Sequence, residues 1–131
     1  MKKHFTCPHC DAVLNPNVKV ALVVTYRKRK GMILLSPQPG NYKYICDKSV
    51  EERLQHGAKV RLSCPVCAAD LTSPAKSKFA ELHMGAPGQE AMKVEFSRVF
   101  GTHATFVIDG EEVTTYGEDV ENLGNTNFFG Y

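Results

Sequence analysis

Apolar and β-branched residues along this chain gather in short runs separated by polar, Gly- and Pro-containing breaks, a pattern of strands rather than of helices. Val18 to Tyr26 is long enough for one strand, and Met32 to Leu35 supplies a second. Together they predict a hairpin with Arg27, Lys28, Arg29 and Lys30 at its tip, Gly31 giving the turn its permissive backbone. Ser36 to Asn41 breaks the pattern with Pro37, Pro39 and Gly40. Tyr42 to Cys46 is a short strand. The best helix signal spans Asp47 to His56: Ser49 and Glu52 have capping-box spacing, Glu51 and Glu52 suit a helix N-terminus, and Gly57 follows as its stop. Ala58 to Ser63 is strand again.

The second half repeats the alternation. Lys78 to Met84 and Lys93 to Phe100 read as strands around a loop at Gly85 to Gln89. Ala104 to Ile108 and Glu111 to Tyr116 flank Asp109-Gly110, which predicts a type I′ hairpin and, with the preceding strand, a three-stranded meander over Val94 to Tyr116. From Asn122 onward there is no periodicity, and the chain closes on Phe128, Phe129, Gly130 and Tyr131. This tail is expected either to fray or to dock on its own domain or a neighbour.

A length of 131 residues suits one ordinary domain or two very small ones. No apolar run approaches the ~20 residues that span a bilayer, so no membrane partner is expected. The first residues have a basic start but neither the apolar core nor the cleavage site of a signal peptide, which makes the cytoplasm the expected location. The net charge of +2 hides an asymmetry: residues 1–63 carry twelve Lys/Arg against four Asp/Glu, and residues 64–131 carry four against ten. The two halves either neutralise each other in the fold or present opposite faces to different partners.

Two stretches carry recognisable chemistry. Thr6-Cys7-Pro8-His9-Cys10 and Ser63-Cys64-Pro65-Val66-Cys67 are both Cys-Pro-x-Cys, each with Ala two residues on and Leu four residues on. Four thiols in two such pairs predict a tetrahedral site for one structural Zn²⁺ with ligands Cys7, Cys10, Cys64 and Cys67. In a reducing compartment such pairs suit metal better than disulfides. Iron, a mixed shell recruiting His4 or His9, and two separate redox Cys-x-x-Cys motifs are the alternatives. The redox reading asks for the first Cys at a helix N-terminus. Cys46 is the odd thiol and is expected to be a small buried hydrophobe at a strand end.

At these knuckles the sequence resembles the zinc-ribbon group, over about two dozen residues rather than the whole chain. The resemblance implies one structural zinc held by two knuckles on adjacent hairpins. Two features depart from it: Asp11 and Ala68 stand where ribbons very often have Gly, and the spacer between the pairs is long. The expected architecture is a β-rich α+β protein with a zinc-ribbon unit over 1–74 containing the inserted hairpin and short helix, an acidic antiparallel β-meander over 75–121, and a tail over 122–131. His56, His83 and His103 have no nucleophile or base pattern beside them, so no enzyme is expected. The expected function is binding of RNA, DNA or a ribonucleoprotein through Arg27, Lys28, Arg29, Lys30 and a nearby Lys43, with Tyr26 and Tyr44 available for stacking. The alternative is a protein-interaction adaptor using the acidic meander and the aromatic tail; a rubredoxin-like iron electron-transfer protein is a third.

Overall fold

The computed structural model describes residues 4–85 and 91–119. It is mostly β, as the sequence pattern predicts, with two antiparallel sheets and one short helix among the described residues. The strands are β1 (His4–Thr6), β2 (Val20–Tyr26), β3 (Arg29–Leu35), β4 (Tyr44–Cys46), β5 (Arg61–Ser63), β6 (Phe79–Gly85), β7 (Met92–Ser97), β8 (Thr105–Asp109) and β9 (Glu112–Tyr116). One sheet has the order β1-β6-β7-β8-β9 and the other β4-β3-β2-β5. The N-terminal strand therefore joins the sheet of the C-terminal meander. The expected tail over 122–131, and all but Gly85 of the expected loop at Gly85 to Gln89, lie outside the described residues. No helix among the described residues is long and apolar enough to cross a membrane.

Alternation along the strands decides which face is buried. Val20, Leu22 and Val24 of β2 and Leu62 of β5 point inward from one sheet; Leu82 and Met84 of β6 and Val94 of β7 point inward from the other, and all share one core cluster. The opposite face of the five-stranded sheet holds a smaller cluster of Phe79, Ala104 and Phe106. On that face Glu95 is only 2% exposed. Its carboxylate accepts from the Lys76 ammonium at 2.9 Å, and Lys76 is itself buried. Nothing in the periodicity marks this pair. Lys76 arrives from the turn between Ser73 and Phe79, which folds over the sheet.

Three local expectations change. The helix α1 spans only Lys48–Glu51, and Asp47 rather than Ser49 is its N-cap, its carboxylate accepting from the Ser49 N–H. With Val50 as the one buried helical residue, the segment has too narrow an apolar face to hold further turns. The basic hairpin turns on two residues, because Tyr26 pairs with Arg29. Arg27 and Lys28 both have positive φ, 48° and 69°, the type I′ arrangement expected instead of Asp109-Gly110. Gly31 lies inside β3, and its lack of a side chain serves packing: a Cβ there would stand 2.6 Å from the Asp47 Cβ. In the second hairpin Asp109 pairs with Glu112, so Gly110 and Glu111 are the central residues. Gly110 has φ +61° and Glu111 is not in the left-handed region, which is the pattern of a type II′ turn. The three-stranded meander of β7, β8 and β9 forms as expected.

Candidate metal centre

The two knuckles fold alike, with the same pair of backbone hydrogen bonds closing each. In the first, Asp11 N–H donates to Cys7 O at 2.9 Å and Cys7 N–H to Ala12 O at 3.1 Å. In the second, Ala68 N–H donates to Cys64 O at 2.9 Å and Cys64 N–H to Ala69 O at 3.0 Å. Asp11 and Ala68 take φ of 64° and 63°. They occupy the left-handed position that glycine fills at least cost, so the missing glycines do not prevent the turn. Each knuckle also aims N–H groups at its first sulfur. His9 N–H donates to Cys7 Sγ at 3.3 Å, and the N–H groups of Val66 and Cys67 donate to Cys64 Sγ at 3.3 and 3.4 Å. Donors so placed offset thiolate charge.

The four sulfurs of Cys7, Cys10, Cys64 and Cys67 lie within 4.8 Å of one another. Cys7 Sγ is 3.8 Å from Cys67 Sγ, and Cys10 Sγ is 3.7 Å from Cys64 Sγ. A regular tetrahedron with ~2.3 Å metal–sulfur bonds has edges of about 3.8 Å. These separations are also far beyond the ~2.05 Å of a disulfide, and all five cysteines are free. The donor set therefore fits one structural metal ion. No helix follows either knuckle, which removes the setting a redox Cys-x-x-Cys requires. His4 and His9 stand outside the cluster. Cys46 ends β4, buried, with its thiol pushed up chiefly by burial.

Without metal the thiols compete for protons. Burial raises Cys7. At Cys10 the Ala12 N–H pulls downward, yet burial and the neighbouring thiols push it up to about 12. At Cys64 burial acts upward, but the Cys67 and Val66 N–H groups prevail and bring it to about 7. Metal binding must therefore expel protons.

The shared Leu of each motif has a role that the spacing alone does not reveal. Leu14 N–H donates to Phe5 O in β1, and Leu14 O accepts from Ala21 N–H at the start of β2. Leu71 N–H donates to Leu62 O in β5, and Leu71 O accepts from Glu81 N–H in β6. Each Leu links one strand of each sheet, and both side chains are fully buried. The metal cluster thus sits where two equivalent stitches join the sheets.

The basic turn lies elsewhere. Arg27 rests over the Tyr26 ring, 5.3 Å from its centroid. Arg29 reaches Glu52 at 3.8 Å, and Arg27, Arg29 and Arg53 line one crevice with Glu52 and Gln55. Sequence reasoning missed Arg53 because it placed that residue in a helix rather than in the turn after one. Lys28 is exposed at the turn, while Lys30, next to Arg29 in β3, is exposed on the opposite face of the sheet with Met32. Lys43 and Tyr44 do not join them: Tyr44 pairs with Leu35, at the opposite end of β3 from Arg29, and six strand residues cover ~20 Å. The hairpin's own register carries those two residues away from its tip. His103 stacks on Tyr42 at 4.5 Å, and its Nδ1–H donates to the Glu118 carboxylate at 2.9 Å. No protein-family model matches the chain, and neither a curated protein nor a solved structure does.

Proposed function

We propose that this chain is a non-enzymatic zinc-binding module of the zinc-ribbon kind, one Zn²⁺ on Cys7, Cys10, Cys64 and Cys67, that binds RNA, DNA or a ribonucleoprotein through the Arg27–Lys30 turn. The zinc half rests on an all-thiolate shell. Four thiolates fill a tetrahedral zinc completely and leave no position for a catalytic water. The observation that carries the binding half is the convergence of Arg27, Arg29 and Arg53 on one crevice that contains a single carboxylate, Glu52. Guanidinium groups present paired donors to phosphate oxygens, and Lys28 adds a further cation at the same turn. The turn itself adds support. A chain that only had to reverse would place Asn-Gly at a type I′ turn, whereas here Arg27 and Lys28 are held there against their steric preference.

Titration of fluorescent single-stranded RNA and duplex DNA at several salt concentrations tests this. Arg27→Ala with Arg53→Ala should weaken binding and flatten the salt slope by about 0.7–0.9 for each lost phosphate contact. Absence of binding at low salt sinks the reading. Elemental analysis should return one zinc per chain, and a coloured iron protein would move the assignment to electron transfer.

A second reading, a protein-interaction adaptor, is favoured by the outward face of the four-stranded sheet, where Met32 and Ile45 are 44% and 58% exposed. Met32→Lys with Ile45→Lys should then abolish self-association or capture of a partner while leaving nucleic-acid binding intact.

A further inference from the structure

Between the two sheets lies an apolar cavity of about 160 Å³. Val24 and Leu62 wall it from one sheet, Leu82 and Val94 from the other. The strap of residues 36–43, between β3 and β4, forms a third side and is pinned to the five-stranded sheet by Tyr42, whose hydroxyl lies 2.9 Å from Thr105 Oγ1 and donates to Tyr116 O. Gln38, Asn41 and Lys43, all exposed, are among the lining residues, so the cavity reaches the surface along the strap.

Protein interiors normally close such a space. Aliphatic walls offer water too few partners to hold it, and an apolar cavity of roughly 150 Å³ accepts a molecule the size of benzene. Drug-sized ligands and nucleotides need ~300 Å³ or more, which limits the occupant to one ring or a short chain. The charged liners settle its polarity: they are Lys43 and Arg98, with no acidic residue among them. Among the described residues neither takes part in a salt bridge. Arg98 spends donors on the carbonyls of Ser77 and Val60 and has the Asp70 carboxylate within electrostatic reach, which leaves Lys43 as the cation available to a ligand. Lys43 is exposed at the strap and free to meet a ligand's head group.

We propose that this cavity is a binding site for a small apolar monocarboxylate, aromatic or short-chain aliphatic, with its hydrocarbon between the sheets and its carboxylate at the strap against Lys43. The site is separate from the metal centre and from the basic turn, and it stands whether or not the nucleic-acid reading does.

Amide NMR spectra of the zinc-loaded full chain, titrated with benzoate, hexanoate, hexan-1-ol and hexylamine, test it. The expected result is saturable shifts at Val24, Leu62, Leu82 and Val94 with dissociation constants in the millimolar range or below, the carboxylates binding more tightly than the alcohol and the amine least. Lys43→Gln should weaken the carboxylates about three- to fivefold, the size of one partly exposed charge pair, and leave hexan-1-ol unchanged. Val94→Phe, which fills the space, should abolish all binding; Val60→Ile, a milder filling, serves where Val94→Phe does not fold. Three results overturn the proposal: no saturable shift, hexylamine binding as well as hexanoate, or binding that occurs only in a chain ending at residue 125, which would give the cavity to the protein's own end.

Discussion

Lys76→Met removes one partner of the buried Lys76–Glu95 pair and should be the most damaging single change outside the metal site. The side chains are 7% and 2% exposed with Nζ and Oε1 2.9 Å apart. At an effective dielectric near 20 the gross attraction at that distance is ~6 kcal/mol, most of it spent on taking two charges out of water. The intact pair therefore contributes little net stability, while a Glu95 carboxylate left alone costs about 3–5 kcal/mol. For a domain stable by about 5–15 kcal/mol that is a large share. Glu95→Leu in the same chain removes the second charge and should bring the double variant back to within about 1 kcal/mol of the parent. Equilibrium urea unfolding at a fixed free metal concentration measures this, fixed because any metal released on unfolding shifts the midpoint by mass action. The midpoint should move with little change in slope. The reasoning is refuted by a loss of under ~1 kcal/mol in Lys76→Met, or by a double variant as unstable as the sum of the singles.

Gly31→Ala places a methyl group 2.6 Å from the Asp47 Cβ and should destabilise by ~1–3 kcal/mol, as overpacking does; a neutral result in the same urea assay would mean the N-cap can move aside. Ala68→Gly releases a left-handed alanine at φ 63°. The relief of ~1–2 kcal/mol outweighs the ~0.4–1 kcal/mol of added unfolded-state freedom, so this variant should be slightly more stable, and a destabilised one counts against the knuckle geometry. Metal affinity, followed by competition with a chelator, should rise with pH. Burial raises Cys7, and Cys10 is pushed up to about 12, so both carry protons at neutral pH and must release them on binding. These two protons alone give about a hundredfold gain per pH unit, and below about 7, where Cys64 also takes up a proton, the dependence steepens. A pH-independent affinity would rule out the thiolate shell.

The ligand set was legible because the chemistry of a Cys-Pro-x-Cys knuckle is local: a tight turn places two sulfurs together whatever surrounds it, and two such turns need only meet. The meander was legible for the same reason, since β7 to β9 alternate with period two. Errors arose where local signals competed. Residues 47–56 satisfied the capping rules for a helix, yet with Val50 as the single buried helical residue only Lys48 to Glu51 remained helical. Both hairpin registers were off because turn propensity fixes which residues favour a bend, while cross-strand pairing of the buried positions fixes where the bend falls. Cys46 was placed correctly from the general burial of free thiols.

By itself, then, the sequence determined what depends on near neighbours: strand-rich segments, two Cys-Pro-x-Cys turns, a basic hairpin and a charge asymmetry between halves. Only the tertiary structure decided what depends on distant pairs. It brought Arg53 to Arg27 and Arg29, sent Lys43 to the far end of the sheet, buried Lys76 against Glu95, and left a cavity where two inward faces do not fully close. It also gave the repeated Leu its meaning. Leu14 and Leu71 each bond to strands of both sheets, so the two knuckles do more than bring four thiols together: they fasten one sheet to the other. Such links join residues far apart in the chain, and no local pattern encodes their geometry.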